Sequence, residues 1–109
     1  MLFRKKGERA MEEAEKMEAM ARACMEKGRA YDLKESPAQA ELQYRRALKL
    51  YEQLHSMTGS SDFADALREV CLSLADLCMQ QGNLHGADVY YVSAMDCGLH
   101  SEHSTHFLG

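Results

Sequence analysis

Apolar and small residues recur every three or four positions along most of this chain, which is the spacing of one face of an α-helix. Breaks in the pattern divide the chain into four predicted helices: residues 8–33, from 36–37 to about 55–57, from 61–62 to a stop at 81–83, and about 83–97. Ser36 followed by Pro37 is typical of a helix start, and Ser61 or Asp62 suits the N-cap of the third helix. Gly98 is predicted to end the fourth.

Residues 74–94 predict two antiparallel helices joined by a tight turn. Gly82 supplies the turn, because glycine adopts the left-handed conformation that often ends a helix. Ala75, Ala87 and Ala94 are small, and two helices approach closely only where the facing side chains are small. The stretch therefore predicts a helical hairpin.

The hairpin pattern occurs twice. Five residues each precede a similar residue by 47 positions: Gly28, Tyr31, Ala40, Tyr44 and Ala47 correspond to Ala75, Cys78, Ala87, Tyr91 and Ala94. Such an offset indicates an internal repeat. We expect one domain over residues 1–109, with repeat one at about 21–54, repeat two at about 62–97, and terminal segments at 1–7 and 98–109.

This pattern resembles the tetratricopeptide repeat (TPR), whose hairpins carry a small residue midway along the first helix, a turn glycine, and then alanine, an aromatic residue and alanine. The resemblance covers roughly residues 21–95. The second copy is similar to the longer kinesin-light-chain type, because residues 50–61 lengthen the link before it. The chain departs from the pattern at Glu35, which replaces the turn glycine, and at Leu99, where a proline often ends the repeat.

The resemblance implies an all-α fold of antiparallel helical hairpins, two TPR-like repeats of about four helices, forming a short right-handed superhelix. It also implies a non-catalytic scaffold that binds a peptide or partner protein. Helical spacing places six residues on the inner face of the first helices, and we expect them to line the binding groove: Met25, Arg29, Tyr31, Glu69, Ser73 and Asp76.

The fourth helix is apolar over an unusually broad arc. We expect that arc to be covered by a second subunit or by the C-terminal tail, because a large exposed apolar patch usually marks a contact surface. The predicted oligomer face is Leu84, Val89, Tyr90, Val92 and Met95. A structural homodimer whose groove binds nothing is therefore an alternative function.

A second alternative comes from the second helix. Ala40, Tyr44, Ala47, Leu50 and Tyr51 also resemble the microtubule-interacting-and-trafficking family of adaptor bundles. That resemblance implies three helices, whereas the repeat pattern implies four.

The charged residues are distributed unevenly along the chain. The formal net charge is −4, yet all 13 Lys and Arg residues lie at or before Arg68, and none occurs in residues 69–109. Nucleic acid is disfavoured as a partner, because binding it requires clustered cations. A basic or neutral protein partner suits the C-terminal half better.

No arrangement of residues predicts catalysis, and we expect neither an enzyme nor a cofactor. The four cysteines, Cys24, Cys71, Cys78 and Cys97, lie at core-facing helical positions, where reduced thiols pack as small apolar groups. His100, His103 and His106 suggest a metal site only weakly, because their spacing sweeps around a helix, so none is predicted. With no apolar run long enough to span a bilayer and no signal-peptide stretch at the start, a cytoplasmic location is expected.

Overall fold

Four α-helices connected by short turns make up the part of the chain that the structure describes. The structure is a computed structural model that describes the backbone of residues 6–101 and the side chains of residues 9–97. The helices are α1 Lys6–Leu33, α2 Pro37–Thr58, α3 Ser61–Gln80 and α4 Leu84–Ser101. The predictions of an all-α fold and of four helices are confirmed. The three helices implied by the resemblance to the trafficking-type bundle are not observed, because the described residues form four.

Several helix ends differ from the predicted ones: α1 begins at Lys6 rather than at residue 8, and α3 and α4 differ at the N-cap and at the C-terminal end, respectively. The N-cap of α3 is Ser60, whose extended backbone lets its hydroxyl accept a hydrogen bond from the Asp62 N–H at 3.1 Å, rather than Ser61 or Asp62. α4 does not end at Gly98 but continues to Ser101. A glycine stops a helix only where it turns left-handed, and Gly98 keeps helical backbone. The side chain of Leu99 and the histidines of the tail lie outside the described side chains.

The turns within the two hairpins have the same hydrogen bonds, 47 residues apart. In the first, the N–H groups of Glu35 and Ser36 donate to the carbonyls of Asp32 and Tyr31, at 3.0 and 2.9 Å. In the second, the N–H groups of Gly82 and Asn83 donate to the carbonyls of Met79 and Cys78, at 3.0 and 2.8 Å. Glu35 adopts a left-handed φ of 60°, beside 77° at Gly82. In the first turn, a non-glycine residue therefore adopts the left-handed backbone conformation that favours glycine.

Each helix packs against the next one along the chain: α1 against α2, α2 against α3, and α3 against α4. We call the pair α1–α2 hairpin one and the pair α3–α4 hairpin two. The main core lies between hairpin one and α3. Its buried residues are Ala21, Met25, Ala40, Tyr44, Ala47, Tyr51, Leu54, Leu67, Val70, Leu74 and Leu77. Because α3 contributes the last four, it is the helix that covers hairpin one.

Two further contacts join α3 to hairpin one. The rings of Tyr51 on α2 and Phe63 on α3 lie 6.3 Å apart between centroids, tilted by 34°. On the α1 side, Arg29 forms an ion pair with Glu69 of α3. α3 therefore contacts both helices of hairpin one. Within the described residues, none of the helices is long and apolar enough to cross a membrane.

Candidate partner-binding surfaces

A cavity of about 270 Å³ opens between α1, α2 and α3. We call it the inner cavity, and it is lined by Arg22, Met25, Glu26, Arg29, Tyr51, Ala66 and Glu69. Its buried lining residues are Met25 and Tyr51, whereas its four charged residues are exposed to solvent. Burial raises the pKa of the Tyr51 hydroxyl, while the nearby Arg22 guanidinium lowers it. The arrangement suits a ligand with a small apolar group surrounded by polar ones.

Two ion pairs border the inner cavity. Arg29 Nη2 lies 2.6 Å from Glu69 Oε2, and Arg22 Nη2 lies 2.6 Å from Glu18 Oε2. Both members of the Arg29–Glu69 pair are more than half exposed, so the pair contributes at most about 1 kcal/mol to stability. A charged ligand group can therefore replace either partner at small cost.

The structure brings together only half of the residues predicted to line the groove. Met25, Arg29 and Glu69 line the inner cavity. Tyr31 is half-buried against the core, and Ser73 is a hydrogen-bond partner of Tyr44. The remaining residue, Asp76, accepts a hydrogen bond from the hydroxyl of a tyrosine on α4. Helical spacing alone places residues on one face of a helix, but it does not say how far along the helix a cavity extends.

Four lining residues of the inner cavity were missed by the sequence prediction. Arg22 and Glu26 lie three residues from Met25 and Arg29, respectively, so the spacing on α1 contained the signal for them. Tyr51 and Ala66 come from α2 and α3, and only the packing of these helices brings them to the cavity.

A second and more apolar groove, of about 370 Å³, lies on hairpin two. We call it the α3–α4 groove, and it is lined by Arg68, Leu72, Tyr91, Ala94 and Met95. The side chain of Leu72 is 41% exposed, that of Tyr91 37% and that of Met95 66%. The Tyr91 hydroxyl donates to Asp76 Oδ1 at 3.2 Å, and this hydrogen bond raises the pKa of the Tyr91 hydroxyl. The groove thus has apolar side chains at its surface and a carboxylate beside it.

The residues predicted to form an oligomer face are not all on one surface. Leu84, Val89, Val92 and Met95 are exposed, but Tyr90 is partly buried against the core. Of the five, only Met95 lines the α3–α4 groove. Tyr91 and Leu72 line it but were not among the predicted face residues. An arc of apolar residues on one helix does not show which part of the arc the neighbouring helix covers.

Every lining residue of the α3–α4 groove has a counterpart 47 residues earlier. The counterparts of Arg68, Leu72, Tyr91, Ala94 and Met95 are Ala21, Met25, Tyr44, Ala47 and Leu48. The first four counterparts are buried, with Met25 4% and Tyr44 2% exposed, and Leu48 is partly buried against the same core. The surface that forms a groove on hairpin two is thus core on hairpin one, where α3 covers it.

The thiols of Cys71, Cys78 and Cys97 are poor candidates for nucleophiles or metal ligands. Burial raises the pKa of Cys71 to about 11, and the neighbouring Cys97 contributes to the rise. Burial likewise raises the pKa of Cys78 and of Cys97. A reactive cysteine requires the opposite shift, because the thiolate is the reactive form. Across the residues whose side chains are described, no three His, Cys, Asp or Glu residues are grouped to hold a metal ion.

Comparison with protein-family models, with curated proteins and with solved structures gives no match to this chain. The interpretation of its function therefore depends on the two surfaces described above.

Proposed function

We propose that this chain is a non-catalytic protein–protein interaction scaffold, which binds a peptide or partner protein through TPR-like helices arranged as a short right-handed superhelix in the cytoplasm. The observation that carries the proposal is the difference between the two hairpins. Positions that are buried core on hairpin one form an open apolar groove on hairpin two. Exposed apolar grooves of this kind are typical of surfaces that bind other proteins.

The energetic argument concerns the exposed side chains of the α3–α4 groove. Burying a large apolar side chain on association is favourable by about 1.5–3 kcal/mol if it is fully exposed beforehand. Leu72, Tyr91 and Met95 each retain a third or more of that exposure. A partner that covers all three gains several kcal/mol, part of which offsets the entropy lost on association.

Selection from a displayed library of random 16-residue peptides tests the proposal. We expect the library to yield ligands whose binding is lost when Met95→Glu places a charge in the α3–α4 groove. Met11→Glu is the matched control, because Met11 and Met95 are both 66% exposed and Met11 is on α1, which does not line the groove. Failure to select any ligand, or ligands that bind both variants equally well, would count against binding at this groove.

The inner cavity is a second place where a selected ligand can bind. Arg29→Glu reverses the charge at its border and leaves the α3–α4 groove intact. Ligands that are sensitive to Arg29→Glu but not to Met95→Glu would assign the scaffold function to the inner cavity instead.

Self-association is the alternative function that a specific observation favours. Leu84, Val89, Val92 and Met95 remain exposed on α4, so a second copy of the chain could cover them. Light scattering over a concentration series, with Val92→Asp as the variant, tests this alternative. A dimer that Val92→Asp converts to a monomer would support it, and a wild-type monomer at all concentrations would exclude it.

A further inference from the structure

We infer that the α3–α4 groove binds an amphipathic helix of a partner protein, one that resembles α3 in its apolar spacing but carries a lysine or arginine where α3 carries Glu69. The inference depends on the proposed function and specifies its ligand. It follows from the internal repeat, because hairpin one already shows how such a helix is bound.

α3 is the reference ligand. Its apolar face binds hairpin one through Leu67, Val70, Leu74 and Leu77, which recur at intervals of three or four residues. Its polar contacts are the Glu69 carboxylate on Arg29 and a hydrogen bond between Ser73 and the Tyr44 hydroxyl. A helix is therefore the element that this type of surface accommodates.

Hairpin two repeats part of the surface that receives α3. Leu72 replaces Met25, and Tyr91 and Ala94 repeat Tyr44 and Ala47. The Tyr91 hydroxyl donates a hydrogen bond to Asp76 of its own hairpin. Four of the five lining residues therefore match the α3 binding surface in side-chain type, and the exception is Arg68, which replaces Ala21 and forms an ion pair with Asp65.

Hairpin two carries the opposite charge at two positions of that surface. The position of Arg29, which binds Glu69 of α3, corresponds to Asp76 on hairpin two. The position of Arg22 likewise corresponds to Glu69. A helix bound in the α3–α4 groove as α3 is bound on hairpin one therefore places its ninth residue, the equivalent of Glu69, near a carboxylate. A basic residue there is attracted and an acidic one repelled.

The charge argument disfavours three segments of the chain itself as the occupant: α3 and α4 of a second copy, and the tail. Residues 69–109 contain no Lys or Arg, so neither α4 of a second copy nor the tail supplies the required cation. α3 of a second copy has an acidic residue at the decisive position and is already covered by its own hairpin one.

Two synthetic peptides with the sequence of residues 61–80 test the inference. One carries Glu69→Lys and the other keeps Glu69, and both carry Cys71→Ser and Cys78→Ser to prevent oxidation. Each is titrated by fluorescence anisotropy into the full chain and into three variants: Asp76→Arg, Met95→Glu and Met11→Glu. Circular dichroism establishes that each variant is folded.

We expect the wild-type chain to bind the Glu69→Lys peptide about three- to tenfold more tightly than the peptide that keeps Glu69. The lysine gains one exposed charge pair with Asp76, and the repulsion between Glu69 and Asp76 is lost. Asp76→Arg should reverse that preference. Met95→Glu should weaken the binding of both peptides about tenfold or more, whereas Met11→Glu should leave it unchanged.

Four results would overturn the inference. In the first, the Glu69 peptide binds more tightly than the Glu69→Lys peptide, and Asp76→Arg does not change this preference. The peptide would then displace α3 from hairpin one, where Arg29 favours an acidic residue. In the second, a dimer in light scattering that Met95→Glu dissociates would make a second copy the occupant. In the third, tighter peptide binding after deletion of residues 102–109 would make the tail the occupant. In the fourth, neither peptide binds, while Met95→Glu still abolishes the binding of library ligands. The proposed scaffold function would then stand, but its partner would not be an amphipathic helix of this type.

Discussion

Gly28 on α1 lies directly against the ring of Tyr44 on α2. A Cβ added at Gly28 would lie 2.6 Å from Cε1 of Tyr44, well inside contact distance. The Tyr44 ring is buried beneath α3, so it has no free space to move into. The small residue that the repeat pattern places on the first helix is therefore required for the two helices of hairpin one to approach.

Gly28→Ala is predicted to destabilise the fold for this reason. Overpacking of a core costs about 1–3 kcal/mol, of which the better helix propensity of alanine offsets up to about 1 kcal/mol. We expect a net loss of about 1–2 kcal/mol in the free energy of unfolding, measured by urea denaturation. In a Tyr44→Leu background the same change should cost much less, because the ring is absent. An equal loss in both backgrounds would show that the contact is not the cause.

Glu35→Gly is predicted to stabilise the fold. Glu35 has a left-handed φ of 60°, which costs a non-glycine residue about 1 kcal/mol, although glycine also raises the entropy of the unfolded chain. The net gain should be about 0.5–1 kcal/mol, visible as a thermal midpoint about 2–6 °C higher. Gly82→Ala, at the equivalent position with φ of 77°, should have the opposite sign. A fall in the midpoint for Glu35→Gly would contradict the prediction.

The stability of the protein is predicted to fall as the pH rises from about 9 to about 11. Cys71 keeps its proton in the folded protein up to a pKa of about 11, whereas in the unfolded chain it loses the proton near the ordinary value of 9.0. The unfolded state therefore releases protons first over this range, and unfolding becomes more favourable. Urea denaturation at a series of pH values should show a shallower fall for Cys71→Ala than for the wild type. Parallel curves would assign the effect to other groups.

The Arg29–Glu69 ion pair is predicted to contribute little to stability. Arg29→Glu should cost less than about 1 kcal/mol in the free energy of unfolding, and 1 M NaCl should reduce that cost by screening. The double variant Arg29→Glu with Glu69→Arg should recover most of it, because the pair is rebuilt with reversed polarity. A cost above about 2 kcal/mol that persists in salt would mean that Arg29 stabilises the packing of α3 in some other way.

The helices could be predicted because their signals are local. Helical spacing, the glycine breaks and the Ser36–Pro37 start all act within a few residues along the chain, and each of the four predicted helices is present. The errors are local as well. Gly98 looks like a helix stop but lies within α4, and Ser60 rather than Ser61 or Asp62 caps α3. Both depend on backbone conformation, which residue type only biases.

The binding surfaces were less predictable, because each needs residues from helices that are distant in sequence. The inner cavity joins Met25 of α1 to Tyr51 of α2 and Glu69 of α3. The six predicted groove residues shared helical faces, but three of them lie elsewhere. Tyr90 was expected on an exposed face and lies partly against the core instead, whereas its neighbour Tyr91 lines the groove. Consecutive residues of a helix point in different directions, so Tyr90 lies against the core while Tyr91 lines the groove.

The sequence by itself determined that this chain forms helices, where most of them begin and end, and that one hairpin pattern occurs twice. These properties depend on hydrogen bonding and side-chain spacing within single turns of helix. Only the tertiary structure decided which of the two copies is covered. Tyr44 and Tyr91 are the same residue at equivalent positions, yet α3 buries one and leaves the other accessible. Burial is a property of what lies against a residue, and that is decided by the packing of whole helices.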